Sequence, residues 1–444
     1  MITTRHLLAA IALTVGLGAS AAAPAWLETD SAAAIASRTR ADFPYSLSEW
    51  VKMAGEYDST LTPAAIDELI ANRYVETKVF DGETRVFRKA LRNLYLLDPS
   101  RNDGWHHRGC EAGARDISYL DSVLDWHAGA NAVGGAHRVV YNFSVDVPYD
   151  PAIAGDTLRV WMPFPIASDR QSQIEILSTS SPYYTLSDGR SVHNTIYFEA
   201  PAPAPGETAH FDYTASFVNN GQHFTEDYIL SHLQPYDTAS DLYRRYTAVE
   251  TPHIIRLTSL ANAIKGDETN PYRISERVFD FISHFPWAGA REYSTIECIP
   301  TYVLSEGHGD CGQVSLLYIS LMRTLGIPAR WESGWMLHPG EKNFHDWAEV
   351  YFEGVGWVPV DPSFGRFPSD NATVHGFYSH GMDSHRFASN TGICGELYPA
   401  KKYVRSETVD FQAGEVETSK GNLFYPAWDS RFNIISITPV TLQR

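Results

Sequence analysis

The stretch Gly307-His308-Gly309-Asp310-Cys311-Gly312-Gln313 sets a cysteine between glycines, directly before an apolar run with helical spacing. Val314, Leu317, Leu321 and Leu325 recur at three- and four-residue intervals, and Gly326 with Pro328 closes the segment. Cys311 therefore opens a helix. The positive end of the peptide dipoles there would lower a thiol pKa and favour the nucleophilic thiolate. The flanking glycines let a substrate approach the backbone, and the Cys311 amide could point at an oxyanion. A thiolate nucleophile needs an imidazole to move protons and usually a third group to orient that imidazole. His345 opens a strand-like run to Phe352, Glu353-Gly354-Val355-Gly356 makes a turn, and Trp357-Val358-Pro359-Val360-Asp361 returns and ends on a carboxylate. A second oxyanion donor would come from Gln313, Tyr293 or Tyr302, among which the sequence does not choose.

The register of that hairpin decides whether His345 and Asp361 can meet. With Glu353 to Gly356 as the loop, Phe352 pairs with Trp357 and Asp361 falls opposite Ala348, three residues from His345. An odd offset puts the two side chains on opposite faces. A shift by one residue sets Asp361 opposite Trp347, diagonal to His345 on the same face. The chemistry therefore predicts a bulge or register shift, an Asp361–His345 hydrogen bond, and the other ring nitrogen facing the Cys311 sulfur.

Taken singly, each residue also fits a plain role: Cys311 as a small buried hydrophobe, His345 as a satisfied histidine, Asp361 before Pro362 as a turn residue, Trp347 and Trp357 as core. His375, His380 and His385 with Asp383 have a spacing that suits neither a helix face nor a strand face, so they read as a loop near the cleft and not as a metal site. There is no C-x-x-C pair, HEXXH, P-loop, dinucleotide fingerprint, EF-hand loop or G-x-S-x-G elbow, so no metal and no cofactor is expected.

Four blocks in order resemble the transglutaminase-like superfamily of papain-type thiol enzymes, in its secreted bacterial form: Gly309-Asp310-Cys311-Gly312, Arg323 to Arg330, His345 to Tyr351, and Gly356 to Pro362. The resemblance covers 309–362 strongly and 250–400 loosely. It implies a papain-like α+β core, a helix packed on an antiparallel sheet, with Cys311, His345 and Asp361 as catalytic triad and a thioester intermediate. Acyl transfer at amide bonds follows, with hydrolysis by a peptidase or amidase favoured over protein-glutamine cross-linking, since water needs no second substrate site. A non-catalytic glycan- or protein-binding member of the same fold is the rival reading. The expected partner is a peptide or protein substrate, cell-wall peptide among the candidates.

The rest of the chain must position these residues. Its 444 residues suggest several domains, and aromatics at 13% favour strand-rich cores. The net charge of −18 argues against nucleic-acid partners and against docking on anionic membrane. Arg5, the apolar run Leu7–Ala19 and the small residues Ala19 to Ala23 read as a signal peptide over 1–25, too short to span a bilayer. A secreted or periplasmic protein is expected, with no integral membrane segment after cleavage. Residues 26–130 read as a helical N-terminal region, with Pro63–Tyr74 and Phe87–Leu97 amphipathic and 108–114 less regular. Residues 131–222, with short strands near 139–145, 158–162, 195–198 and 209–217, read as a β-sandwich domain. Residues 223–444 read as the catalytic domain, with helical stripes over 252–285 and C-terminal strands near 409–411, 423–425 and 434–437. If Cys311 works as a thiolate, at most one disulfide can form among Cys110, Cys298 and Cys394.

Overall fold

The computed structural model describes residues 32–101, 120, 131–367, 369–425 and 427–440; the expected signal segment, residues 108–114 and Cys110 lie outside them. Four helices begin the described chain: α1 (Ala32–Asp42), α2 (Leu47–Tyr57), α3 (Pro63–Ala71) and α4 (Ala90–Leu97). Ser46 caps α2 reciprocally with Glu49, and Thr62 caps α3 with Pro63 in its first turn. This region is not purely helical. Tyr45–Ser46, Glu83–Val86 and Thr77–Phe80 form a small antiparallel sheet, turned at Asp81-Gly82, where both residues have positive φ (51° and 84°). The Asp-Gly pair is a hairpin signal that the helical reading passed over. Phe43, Trp50, Ile66, Val86 and Leu94 form its core.

The sandwich strands are β1 (Asn131–Pro148), β2 (Thr157–Pro163), β3 (Gln171–Thr179), β4 (Thr195–Pro201) and β5 (Thr208–Phe224). Strand β3 was not anticipated: it alternates half-buried and exposed residues, so its apolar signal is weak. The catalytic part contributes α5 (Thr258–Lys265), α6 (Pro271–Ile282), α7 (Ile299–Glu306) and α8 (Cys311–Thr324). Helix α8 packs against an antiparallel sheet of β6 (Ala329–His338), β7 (Glu341–Phe352), β8 (Gly356–Val360) and β9 (Arg386–Asn390), ordered β8-β7-β6-β9, and α5, α6 and α7 pack on α8. The fold is α+β, as the resemblance implied.

The tail does not end the catalytic domain as expected. Strand β10 (Glu415–Glu417) pairs with β2, and β11 (Asp429–Pro439) pairs with β1 from Asp429↔Asp146 to Pro439↔His137. The sandwich is thus closed by strands distant in sequence, a pairing that local pattern cannot reveal. Val409–Phe411, expected as a strand, is buried irregular chain between the two parts: Val409 packs with the core around α8 and Phe411 with Trp161 and Tyr197 of β2 and β4.

Helix α8 is buried on all sides from Gly312 through Arg323, because α5, α6 and α7 cover the faces that the sheet does not. The stripe seen in sequence is one part of that surface. Gly326 takes φ +75° just after α8, the left-handed stop its position required.

Candidate active site

Asp310 fixes the start of α8. Its side chain accepts from the Gln313 amide (3.1 Å), and Gln313 Oε1 accepts from the Asp310 amide (3.1 Å). Cys311 is the first helical residue, as the sequence required. The next residue must be small. A Cβ on Gly312 would lie 2.5 Å from Asp346 Oδ2 and 2.9 Å from the Trp331 ring, and closer still to the Tyr293 hydroxyl. The glycine therefore lets α8 press its N-terminus onto β6 and β7.

The hairpin β7–β8 takes the register the chemistry needs, by another route than a bulge. Phe352 pairs with Gly356 and Ala348 with Val360, without irregularity, so the loop is Glu353-Gly354-Val355 and Asp361 follows opposite Trp347. Gly354 and Gly356 hold φ of +84° and +105°, which a three-residue loop uses and a side chain would resist. An irregularity does occur one strand away, between Ser333 and Gly334 where β6 meets β9.

Asp361 is completely buried. Its Oδ2 lies 2.6 Å from His345 Nε2 and accepts from Arg386 Nη1 at 3.0 Å, while Oδ1 accepts from the Ser363 hydroxyl at 2.7 Å. Burial alone would raise this carboxyl, but the neighbouring His345 and Arg386 hold it below the usual range. His345 is pushed down by burial and by Arg386, against the pull of Asp361, so the imidazole is neutral at neutral pH. Arg386 also donates to Asp383, at 2.9 Å through Nη2, and Asp383 in turn meets His338 Nε2 (3.1 Å) and the Tyr378 hydroxyl (2.8 Å).

Cys311 and His345 line one cleft of about 980 Å³, but no hydrogen bond joins them. The group against the sulfur is Asp346, whose Oδ2 is 3.5 Å from Sγ. Gln412 Nε2 holds this segment, donating to Asp346 Oδ1 (2.7 Å) and to the carbonyls of His345 and Gly334 (3.0 Å each). The expected dipole lowering of the thiol is opposed: burial and the Asp346 and Asp310 carboxyls push the Cys311 thiol up. Asp346 is itself pushed well up by burial and by Asp410 and Asp310, which favours its protonated form.

Of the three expected oxyanion donors, only Tyr293 lines the cleft; its hydroxyl donates to Asp310 Oδ1 (2.7 Å) and stands 3.4 Å from Asp346 Oδ2. Gln313 is buried in the helix cap, and Tyr302 donates to Glu76 Oε2 (3.0 Å) away from the cleft. None of His375, His380 and His385 lines the cleft, and among the described residues no group of three or more His, Cys, Asp or Glu could hold a metal. Cys298, Cys311 and Cys394 are free thiols.

Sequence reasoning missed Asp346, Gln412 and Arg386. Asp346 stood inside a recognised block, but alternation along a strand pointed attention to His345. Gln412 and Arg386 are polar residues in unremarkable contexts, and nothing local marks them as buried. The other cleft walls come from distant segments: Arg88, Lys89 and Arg92 from the start of α4, and Phe344, Tyr425 and Trp428 as an aromatic side.

The transglutaminase-like superfamily model matches residues 258–362. The uncharacterized protein YebA of Bacillus subtilis is 28% identical over 129 residues, a match spanning 25% of this chain and 18% of that protein. Among solved structures, a candidate cysteine protease from Cytophaga hutchinsonii aligns at TM-score 0.43 and 15% identity over 70% of this chain and 96% of its own. The periplasmic domain of TgpA from Pseudomonas aeruginosa aligns at TM-score 0.28 and 17% identity over 55% and 90%. Residues 258–362, which carry Cys311, His345 and Asp361, are thus a transglutaminase-like core segment.

Proposed function

We propose that this chain is an exported thiol enzyme that cleaves amide bonds in peptides or proteins, with Cys311 as nucleophile, His345 as proton carrier and Asp361 as its orienting group. The observation that carries this reading is a His345–Asp361 pair at 2.6 Å opening on the same cleft as a helix-start cysteine. Both reacting groups rest neutral, so the imidazole acts as a general base. His345 takes the Sγ proton as the sulfur attacks the carbonyl carbon, and Asp361 stabilises the imidazolium that forms. The Cys311 amide is the donor at the helix start for the developing oxyanion, and the Tyr293 hydroxyl joins it only by turning away from Asp310. Collapse of the tetrahedral adduct breaks the C–N bond, and the imidazolium gives its proton to the leaving amine. Water, deprotonated by His345, then attacks the thioester, releases the acid and restores the thiol.

Hydrolysis is preferred to amine transfer because water needs no second specific substrate site. The test is incubation of the purified protein with an acyl peptide and a labelled amine. Acid product, lost in Cys311→Ser, is expected; amine incorporation in excess of hydrolysis would move the assignment to cross-linking. One observation favours the binding-protein alternative: the sulfur faces Asp346 and makes no bond to His345. Equal labelling of the wild type and Cys311→Ser by a thiol-directed peptide probe would establish that reading instead.

A further inference from the structure

Five cations line the cleft, and all but one come from the N-terminal unit. Arg38 is paired with Glu292 (2.8 Å), Arg88 with Asp42 (2.8 Å) and Arg291 with Glu76 (3.1 Å). Lys89 and Arg92 are different: among the described residues neither has a carboxylate within 4.0 Å. Lys89 Nζ donates to the Ala290 carbonyl (3.1 Å), and Arg92 lies over the Trp287 ring, 5.5 Å from its centroid. A guanidinium on an indole face keeps its in-plane N–H groups free for a carboxylate.

Their place is fixed with respect to the nucleophile. Asn93 clamps Gly289 with two hydrogen bonds, Nδ2 to the carbonyl (3.0 Å) and the Gly289 amide to Oδ1 (2.9 Å). A Cβ on Gly289 would lie 3.0 Å from Lys89 Cδ, so the glycine makes room for the lysine stem. The same loop runs beside the approach to α8: Trp287 bridges Gly309, and the Ala288 amide donates to the Gly309 carbonyl (3.2 Å). Gly309 is two peptide units from Cys311, at most about 8 Å of chain. The nearby carboxyl Asp310 is already engaged by Tyr293 and the Gln313 amide.

We propose that Lys89 and Arg92 form a carboxylate-recognition site, so that the preferred peptide carries a negative group within one or two residues of the bond presented to Cys311. The N-terminal unit is then a substrate-binding wall. The assignment deepens the reading of Cys311 as nucleophile and rests on it. The carboxylate can be a free C-terminus or an acidic side chain.

The test uses full-length Cys311→Ala protein, so that binding is read without turnover. The probes are acetyl-Ala-Ala-Ala as free acid, the same peptide as carboxamide, and acetyl-Ala-Glu-Ala carboxamide. Calorimetry at low salt is expected to show one or both acidic peptides binding about tenfold or more tighter than the neutral one. Which acid wins identifies the source of the carboxylate. Lys89→Met with Arg92→Gln should bring the ratio near one, and Arg92→Lys should keep part of the preference. Equal affinity for all three peptides, no binding of any, or a preference that survives the double substitution overturns the assignment. Wild-type protein that prefers the acids but hydrolyses none would refute the proposed enzyme while this site stands, and hydrolysis without acid preference would do the reverse.

Discussion

Replacing Asp361 by Asn keeps its shape and removes its charge, and the structure says what that should cost. The carboxylate is fully buried and accepts three hydrogen bonds, from His345, Arg386 and Ser363. Bonds to charged groups contribute about 1.5–3 kcal/mol each, and losing one partner of a buried pair costs about 3–5 kcal/mol when the other charge is stranded. Here Arg386 retains Asp383, so it is not stranded, and the lower end applies: about 2–3 kcal/mol for Asp361→Asn. Asp346→Asn is the internal contrast. Burial and its acidic neighbours push that carboxyl well up, so an amide replaces a group already disposed to be neutral, and the loss should stay below about 1 kcal/mol. Urea unfolding followed by tryptophan fluorescence reads both; with m near 2–3 kcal/mol/M, Asp361→Asn should lower the midpoint by about 1 M. The pH dependence has a definite sign. The Asp361 pKa in the folded state lies below 3.8, so its stabilisation is present above pH ~4 and is lost as pH falls through the folded value. The gap between wild type and Asp361→Asn should close over that acid range. A loss below about 0.5 kcal/mol at neutral pH, or one matched by Asp346→Asn, would refute the account of Asp361 as an ionised partner.

The Cys311 thiol, pushed above its ordinary 9.0, should react with iodoacetamide slowly at pH 7 and still accelerate with pH past 9; a plateau between pH 5 and 7 would restore the dipole-activated thiolate. Gly312→Ala forces a methyl into Tyr293, Asp346 and Trp331 and should cost about 1–3 kcal/mol, read as a fall in Tm; an unchanged Tm would mean that α8 can move away from the sheet. Glu76, raised to about 7 by burial against the pull of Arg291, is protonated in the fold at pH values where it ionises in the unfolded chain. Its stabilisation is present below pH ~4.5 and declines as pH rises to about 7. Glu76→Gln should flatten this decline in a pH series of unfolding midpoints, and an unaltered series would show that the group ionises normally.

The local pattern around the site was legible because each feature has a local cause. Cys311 opens a helix because Asp310 caps it, an apolar run follows and Gly326 ends it. The hairpin was visible in alternation and glycines, and the need for Asp361 to face His345 even required its one-residue shift, although a shorter loop and not a bulge supplies it. The superfamily was readable from four blocks within 309–362. What surrounds those residues was not. Asp346 against the sulfur, Gln412 holding the strand and Arg386 behind Asp361 are polar side chains whose meaning depends on burial, and burial depends on segments far away in sequence. The tail strands β10 and β11 pair with β2 and β1 because of cross-strand contacts between segments more than 250 residues apart. The thiol shows the division most sharply. A helix end favours the thiolate through a local dipole, which sequence reveals, while burial and the Asp346 and Asp310 carboxyls push the thiol up, and only the tertiary structure brings Asp346 there, because it lies on a strand 35 residues further along the chain.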